Sequence, residues 1–315
     1  MILQTNKNIA VGADIGGSHI SCAAVDMNQH TIITESYTVI DVDNKASAEV
    51  IINKWSDAIK QTLNKAGIDE PVGIGLAMPG PFDYLNGIGL FKGVEKFDNL
   101  YGVNVAEKVK TTLSFKNDIP VRFMNDATSF AVGAVWADDH LAKNNVLAIT
   151  LGTGFGSAFI IDSLPVLKDE KVPELGCVYH LPYKEGIADD TFSTRGLIKA
   201  YQDRTGTTLP GVKEIAEMAG SDKNATDTFN QFGKELADFL SPWISKASIT
   251  NMIIGGNISK AYKLFKDAFE TELRESGNDV VVQISDKNDL MAILGSARLS
   301  EENYWERVKS LIKDM

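Results

Sequence analysis

Two segments of the chain have the same layout, and this repetition limits the possible fold more than any other feature. They read IAVGADIGGSHISCAAV over residues 9–25 and VLAITLGTGFGSAFII over residues 146–161. In each, two apolar runs flank a short glycine-rich stretch, a pattern that predicts a β-hairpin. The two segments share a layout without sharing a sequence, and they lie about half a chain apart. We therefore expect a duplicated domain that has diverged.

Strands and helices alternate along the rest of the chain, which predicts an α/β protein. Helical spacing and stop signals predict helices over 46–65, 104–113, 127–136 and 303–313, and mostly helix after 196. Short apolar runs predict strands over 72–78, 121–124, 252–254 and 280–284. We expect an N-terminal lobe over 1–120 and a C-terminal lobe over 121–299, with the last helix, 300–315, a candidate to pack back on the first lobe.

Composition and charge exclude several classes of protein. Hydrophobic residues make up 44% and charged residues 23% of the chain, as in ordinary globular proteins. No apolar run approaches the roughly 18 to 20 residues of a membrane span, and the start lacks a signal-peptide pattern. The net charge of −11 argues against nucleic acid as a partner. Two cysteines cannot build a disulfide framework, so we expect a cytoplasmic protein.

The two glycine turns are suited to binding phosphate. Phosphate oxygens need several converging N–H donors with no side chain in the way, and glycine provides this. Neither turn is the dinucleotide fingerprint, because each leads into a strand and not a helix, and no Walker A sequence occurs. Either turn could be a tight hairpin without a ligand. Two turns at corresponding places, one of them preceded by Asp14, favour phosphate binding.

A series of short motifs resembles the ROK family of repressors, open reading frames and sugar kinases. In family order the motifs are GADIGGSH (12–19), GLAMPGPFD (75–83), FDNL (97–100), MNDA (124–127), LGTGFGS (151–157), ELGC (174–177), IIGGN (253–257) and LGSA (294–297). Each motif is weak alone, whereas eight in order over nearly the whole chain are specific. The resemblance implies the two-lobed actin-like ATPase fold, a duplicated ribonuclease H-like fold with its active site in the interlobe cleft.

The resemblance implies an ATP-dependent sugar kinase and assigns roles to several residues. Asp126 is the expected general base, although an Asn-Asp pair also commonly caps a helix. Asp14 is expected to orient Mg²⁺ through water. The residues expected to hold ATP are Gly16, Gly17 and Ser18 in one lobe, Gly152, Thr153 and Gly154 in the other, and Gly255, Gly256 and Asn257 against the adenosine.

The residues expected to bind sugar include one departure from the family. By resemblance they are Asn99, Asn125, Asp126 and Glu174, with Asp189 placed by counting back four residues from Ser193. The family usually has histidine where this chain has Cys177, and His180 is either a substitute or an ordinary structural histidine. The cysteine-rich zinc motif of many relatives is absent, so we expect no structural zinc.

The sequence does not name the sugar. We expect transfer to the 6-hydroxyl of glucose; the alternatives are fructose, mannose, allose, N-acetylglucosamine or N-acetylmannosamine. The other interpretations are a catalytically weak sugar-sensing regulator and an ATPase of the same fold that does not act on sugars. A repressor is disfavoured because only eight residues precede Ile9, too few for a DNA-binding domain. Relatives of this kind are usually homodimers, so a homodimer is expected.

Overall fold

The computed structural model of the protein describes residues 8–94 and 96–315. The described chain divides into two compact units, of which the first comprises its residues up to 139 together with 289–315, and the second residues 140–288. The expectation that no signal peptide is present concerns residues 1–7, which lie outside the described residues. No helix of the described part is both long and apolar enough to cross a membrane.

The strands and helices follow one another in the expected α/β order. The strands are β1 Ile9–Ile15, β2 His19–Asp26, β3 Thr31–Ile32, β4 Thr38–Asp41, β5 Ile74–Met78, β6 Phe82–Asp83, β7 Ile88–Gly89, β8 Val121–Asn125, β9 Val146–Leu151, β10 Phe155–Ile161, β11 Leu164–Pro165, β12 Pro182–Tyr183, β13 Gly186–Ile187, β14 Asn251–Gly255 and β15 Val281–Ile284. The helices are α1 Ala48–Ala66, α2 Val105–Leu113, α3 Asp126–Trp136, α4 Ala188–Thr191, α5 Thr194–Thr205, α6 Val212–Met218, α7 Lys223–Lys246, α8 Tyr262–Glu275, α9 Asn288–Arg298 and α10 Glu302–Ile312.

Each unit contains one main sheet, and the two sheets have the same strand order. The first runs β3-β2-β1-β5-β8, with β4 also paired to β2, and the second runs β11-β10-β9-β14-β15. In both sheets the hairpin strands are antiparallel and the two strands beyond them are parallel. This shared order confirms the two predicted hairpins and is the arrangement expected of a duplicated domain.

In the first unit, α9 packs directly on the sheet and on α3. A Cβ atom at Gly295 would lie 1.8 Å from the carbonyl oxygen of Ser129 on α3, so only glycine allows the two helices to approach this closely. The hydroxyl of Ser296 accepts a hydrogen bond from the amide of Ala13 at 3.2 Å. Helix α9 is thereby tied to β1, and its first turn, with Asp289, belongs to the same unit as Asp14.

In the second unit, α7 carries an apolar stripe within the region that the sequence predicts to be mostly helical. Phe229, Phe232, Leu236 and Leu240 are buried in its core, and Phe239 is partly buried against it. Because these residues recur at helical spacing, one face of α7 packs inward while the other faces solvent. This core supports the sheet that carries the second glycine turn.

The division between the units differs from the expected boundary at 120/121. Strand β8, residues 121–125, pairs with β5 and so extends the first sheet, and α3 follows it within the same unit. The chain leaves the first unit only after residue 139. The chain returns to the first unit at residue 289, earlier than the expected 300. The reason is that α9, and not only α10, belongs to this unit, since α9 packs on β1. Sequence periodicity alone did not reveal which sheet β8 joins.

Replacing Gly295 with alanine tests the close packing of α9. Gly295→Ala is expected to lower the free energy of unfolding of the first unit by about 1–3 kcal/mol, the usual effect of overpacking a filled core. Helix propensity alone predicts the opposite sign, by about 1 kcal/mol. Urea denaturation followed by tryptophan fluorescence measures this, since Trp55, Trp136 and Trp305 lie in this unit.

The control is Ser310→Ala on the exposed side of α10, which should change the same free energy by no more than about 0.5 kcal/mol. A Gly295→Ala protein as stable as wild type would contradict the packing described for α9.

Candidate active site

Three parallel strands of the first unit end at one edge of its sheet. Asp14 on β1 pairs in register with Ala77 on β5, and Ala77 pairs with Met124 on β8. Asn125 follows Met124 and ends β8, so Asp14 and Asn125 lie near the carboxyl ends of these strands. Ligands of open α/β sheets bind outside the carboxyl ends of the strands. This edge is therefore the candidate site of the first unit.

Asp14 is a half-buried carboxylate with other carboxylates near it. Burial, together with the negative charges of Asp126 and Asp289, raises the pKa of Asp14 to about 8. Burial and the charge of Asp14 also raise the pKa of the Cys22 thiol on the neighbouring strand. Crowded carboxylates of this kind are stabilised in their ionised form by a cation.

Asn125 and Asp126 form the junction between β8 and α3. The Oδ1 atom of Asn125 accepts a hydrogen bond from the amide of Thr128 at 3.2 Å and so caps the helix, while its Nδ2 atom donates to the Tyr84 hydroxyl at 3.4 Å. The Oδ1 atom of Asp126 accepts from the amide of Ala127 at 2.8 Å. Among the described residues, nothing donates to Asp126 Oδ2. The capping role and a free carboxylate oxygen therefore occur together.

The first glycine turn is closed by a short backbone hydrogen bond and has exposed donors. The amide of Gly16 donates to the carbonyl of His19 at 2.9 Å, and Gly17 and Ser18 are exposed. The side chain of Asn44 donates to the carbonyl of Gly17. Within the described chain, the amides of Gly17 and Ser18 have no acceptor, so they remain available to a ligand.

Asn99 lies in a short 3₁₀ turn, residues 98–100, of the first unit. Its Nδ2 atom donates to the carbonyl oxygens of Lys45 and Ala46 at 3.0 and 2.9 Å. Both amide protons are therefore committed to the backbone before α1. Only Oδ1, an acceptor, remains for a ligand hydroxyl.

The second glycine turn, residues 152–154, is contacted by Thr194 and by the charged side chain of Asp189. The amide of Gly152 donates to the carbonyl of Gly154 at 3.0 Å, and Thr194 donates to the carbonyl of Gly152 through its amide and its hydroxyl, at 2.8 and 2.9 Å. The carboxylate of Asp189 accepts from the amide of Phe155 at 2.5 Å. A Cβ atom at position 154 would lie only 3.1 Å from that carboxylate, so glycine leaves room for it.

The segment expected to lie against adenosine is next to this second turn. Gly255 on β14 pairs with Thr150 on β9, two residues before the turn begins at Gly152. Gly256 has a φ of 86°, and a Cβ atom there would lie 2.2 Å from the carbonyl oxygen of Leu151. Only glycine permits both the positive φ and this approach. The two segments assigned to ATP in the second unit are thus in contact.

The remaining residues of the second unit that were predicted to bind sugar lie between β11 and α4. Glu174 is exposed, and its carboxylate has no hydrogen-bond or ion-pair partner among the described residues. Cys177 is half-buried, with its Sγ atom 3.8 Å from Nδ1 of His180. Burial raises the pKa of the Cys177 thiol to about 11. His180 therefore lies beside Cys177, at the position where the resemblance led us to expect a histidine.

The contacts of Asp189 differ from those expected of a sugar-binding residue. One carboxylate oxygen is bound to the amide of Phe155 and the other to the guanidinium of Arg195. Asp189 thus lies against the second glycine turn with both oxygens engaged. In residues 8–94 and 96–315, no group of three or more His, Cys, Asp or Glu side chains is close enough to hold a metal ion by itself.

Several residues at these sites were missed by sequence reasoning. They are Asp289, whose carboxylate accepts a hydrogen bond from the Tyr37 hydroxyl at 3.2 Å, together with Tyr84, Asn44 and Arg195. The LGSA motif was the available signal for Asp289, because Gly295 and Ser296 hold α9 on the sheet. Tyr84, Asn44 and Arg195 lie outside the eight motifs, and only tertiary structure brings them to the turns and to Asn125.

A model of the ROK family matches residues 10–303. The chain belongs to the ROK family. The N-acetyl-D-glucosamine kinase of Haemophilus influenzae is 23% identical, over 91% of this chain and 98% of its own length. These findings confirm the family and the enzyme class expected from the sequence, a sugar kinase.

Solved ROK structures resemble this ROK protein over most of its length. A ROK hexokinase from Thermus thermophilus has a TM-score of 0.76 at 17% identity, over 96% of this chain and 99% of that one. A ROK glucokinase from Streptomyces griseus, solved with glucose and AMPPNP, has a TM-score of 0.70 at 21% identity, over 92% of this chain and 98% of that one. The fold class expected from the motifs, the two-lobed actin-like ATPase fold, is confirmed.

The environment of Cys177 predicts low thiol reactivity. The thiolate is the reactive form, and a pKa of about 11 leaves little thiolate at pH 8. We expect Cys177 in the native protein to react with an aromatic disulfide reagent about 100-fold more slowly at pH 8 than in guanidinium-unfolded protein. Peptide mass spectrometry separates Cys177 from the fully buried Cys22. Rapid labelling of native Cys177 at pH 8 would contradict the burial described for it.

Proposed function

We propose that this ROK protein transfers the γ-phosphoryl group of ATP to the 6-hydroxyl of a hexose, with Asp126 as the general base. The observation that carries the proposal is the geometry of Asp126. One of its oxygens is held by the amide of Ala127, whereas the other accepts no hydrogen bond from the described residues. The side chain is half-buried at the carboxyl edge of the parallel strands. A fixed carboxylate with a free oxygen is what a general base for an alcohol requires.

In the proposed reaction, Asp126 Oδ2 accepts the proton of the sugar hydroxyl while the oxygen of that hydroxyl forms a bond to the γ-phosphorus. The bond between the γ-phosphorus and the bridging oxygen breaks, and ADP leaves with that bonding pair. Asn125 donates a hydrogen bond to the sugar with its Nδ2 atom, for which the long contact to Tyr84 is only a weak competitor. In such kinases the protein contributes mainly by positioning the reactants and stabilising charge.

The charges of the first unit fit a magnesium ion. Asp14 is a half-buried carboxylate whose ionised form is disfavoured by burial and by two other carboxylates. Mg²⁺ keeps several water ligands and is held by one or two carboxylates together with substrate phosphates. We assign Asp14 to this ion, through water. When bound, the ion would neutralise charge on the phosphates of ATP.

The backbone of the two glycine turns supports phosphate binding by each unit. The amides of Gly17 and Ser18 in the first turn, and of Thr153 and Gly154 in the second, have no acceptor among the described residues. Gly16 and Gly152 close their turns by donating to the backbone. For the adenosine, the contact of Gly256 with Leu151 supports a site along residues 255–257.

The groups that remain free to bind the sugar are mainly hydrogen-bond acceptors. They include the carboxylate of Glu174 and the Oδ1 atom of Asn99, which suit the hydroxyl protons of a sugar. His180 is a further candidate because it lies beside Cys177, where relatives have histidine. The contacts of Asp189 support a role at the nucleotide turn more than at the sugar.

Glucose is the first candidate substrate, and N-acetylglucosamine is the second. The Streptomyces griseus relative is a glucokinase solved with glucose, which supports the first. The Haemophilus influenzae relative is an N-acetyl-D-glucosamine kinase that aligns over nearly all of its own length, which supports the second. A weakly active sugar-sensing regulator is the alternative, because Cys177 removes an imidazole from the sugar site. A homodimer in the cytoplasm remains our prediction for its assembly and location.

Substitution of Asp126 tests the proposal. With Mg²⁺ and ATP, the wild-type protein should phosphorylate at least one sugar of a panel of glucose, mannose, fructose, allose, N-acetylglucosamine and N-acetylmannosamine. Asp126→Ala should lower the turnover number about 100-fold or more on that sugar, the usual contribution of a general base, while sugar binding persists. Coupled ADP release measures turnover, and calorimetry measures sugar binding.

The matched control is Asp57→Ala, which removes an exposed carboxylate from α1 of the same unit and should leave turnover unchanged. If Asp126→Ala turned over sugar as fast as Asp57→Ala, Asp126 would not be the base. A wild-type protein inactive on every sugar of the panel would favour the regulator.

A further inference from the structure

The second glycine turn already binds an anion that the chain itself provides. The amide of Phe155, at the end of the turn, donates to one oxygen of the Asp189 carboxylate at 2.5 Å. The same carboxylate lies beside Gly154, where any side chain would meet it. The turn therefore has the shape and the donor needed to receive a charged oxygen atom at this place.

A guanidinium group converges on the same carboxylate. Arg195 donates from Nη2 to the other oxygen of Asp189, and also to Asp190 at 3.0 Å. The side chain of Asp189 is 18% exposed and that of Arg195 is 53% exposed, so a ligand can reach the guanidinium from solvent. A backbone amide and an arginine that meet on one anionic group form a recurring phosphate-binding combination.

The backbone of Arg195 is tied to the turn. The preceding residue, Thr194, donates two hydrogen bonds to the carbonyl of Gly152, one from its amide and one from its hydroxyl. Asp190 in turn accepts from the amide of Ile187 at 3.1 Å, and this bond and Arg195 lower the pKa of Asp190. The arginine thus has a second, fixed carboxylate that can hold it if Asp189 moves away.

We propose that Arg195 binds a phosphate group of the nucleotide at the turn of residues 152–154, and that Asp189 occupies this position until the nucleotide displaces it. The inference rests on the proposed function in so far as the nucleotide is ATP or ADP. A phosphate and the Asp189 carboxylate carry like charges and use the same two donors, Phe155 and Arg195. They cannot be held there together, so binding of one requires departure of the other.

The competing interpretation is that Asp189 and Arg195 form a structural ion pair. The two interpretations predict different changes in nucleotide affinity when Asp189 or Arg195 is substituted. A structural pair is broken equally by removing either charge, so both variants would bind nucleotide less well. In the proposed exchange, Arg195 attracts the phosphate and Asp189 competes with it.

The experiment is calorimetric titration of ADP, with Mg²⁺, into the complete protein and three variants. Arg195→Gln should weaken ADP binding about 10-fold or more, because it removes a charge-assisted contact with phosphate. Asp189→Asn keeps an acceptor for the amide of Phe155 but loses the competing charge, and should bind ADP several-fold to about 10-fold more tightly than wild type. Adenosine, which lacks phosphate, should bind Arg195→Gln as it binds wild type.

The matched control is Arg204→Gln, which removes the same charge from the exposed far end of α5 and should bind ADP as wild type does. The proposal is overturned if Arg195→Gln matches Arg204→Gln, or if Asp189→Asn binds ADP no more tightly than wild type. Failure of the proposed function is a separate result. If ADP binding depends on Arg195 but the protein phosphorylates no sugar, the proposed kinase activity is rejected while the phosphate site at Arg195 is retained. A wild-type protein that binds no ADP would reject both.

Discussion

The parallel pairing of β1, β5 and β8 is the constraint on which the candidate site depends. It brings Asp14 and the Asn125-Asp126 junction to one edge of a sheet. Helix α9, which approaches through Gly295, adds Asp289 to the same unit and to the same group of charges. Burial and like charge make this group costly to ionise without a cation. The fold therefore keeps an electrostatically unfavourable cluster that a metal–phosphate ligand would relieve.

The two units share a strand order but have different charges around their glycine turns. The first turn is contacted by the neutral amide of Asn44. The second is contacted by the carboxylate of Asp189, which an arginine partly neutralises. Equivalent hairpins have thus acquired different partners from the loops and helices that follow them. A backbone cradle can be retained through duplication because it does not depend on side chains, whereas its electrostatic surroundings can change.

Local patterns predicted the hairpins, most helices and the motif residues, because glycine turns, caps and apolar spacing are encoded within a few neighbouring residues. Gly67 ends α1, and α2 lies within the predicted helix over 104–113 with Asn104 as its N-cap. The unit boundary was misplaced since the pairing of β8 with β5 is a contact between distant segments. For the same reason Asp289 and Arg195 were missed. The contacts of Asp189 likewise depend on how α4 packs against the second turn, which residue counting does not reveal.

The most direct test of the account is to follow the phosphorus atom itself. Wild-type protein, Mg²⁺ and ATP are incubated with glucose and, separately, with N-acetylglucosamine, and the products are identified by ³¹P nuclear magnetic resonance. The account predicts a phosphomonoester signal coupled to the protons at carbon 6 of the sugar, appearing in step with ADP. Appearance of inorganic phosphate alone, with either sugar unchanged, would contradict it, because water and not a sugar hydroxyl would then be the acceptor.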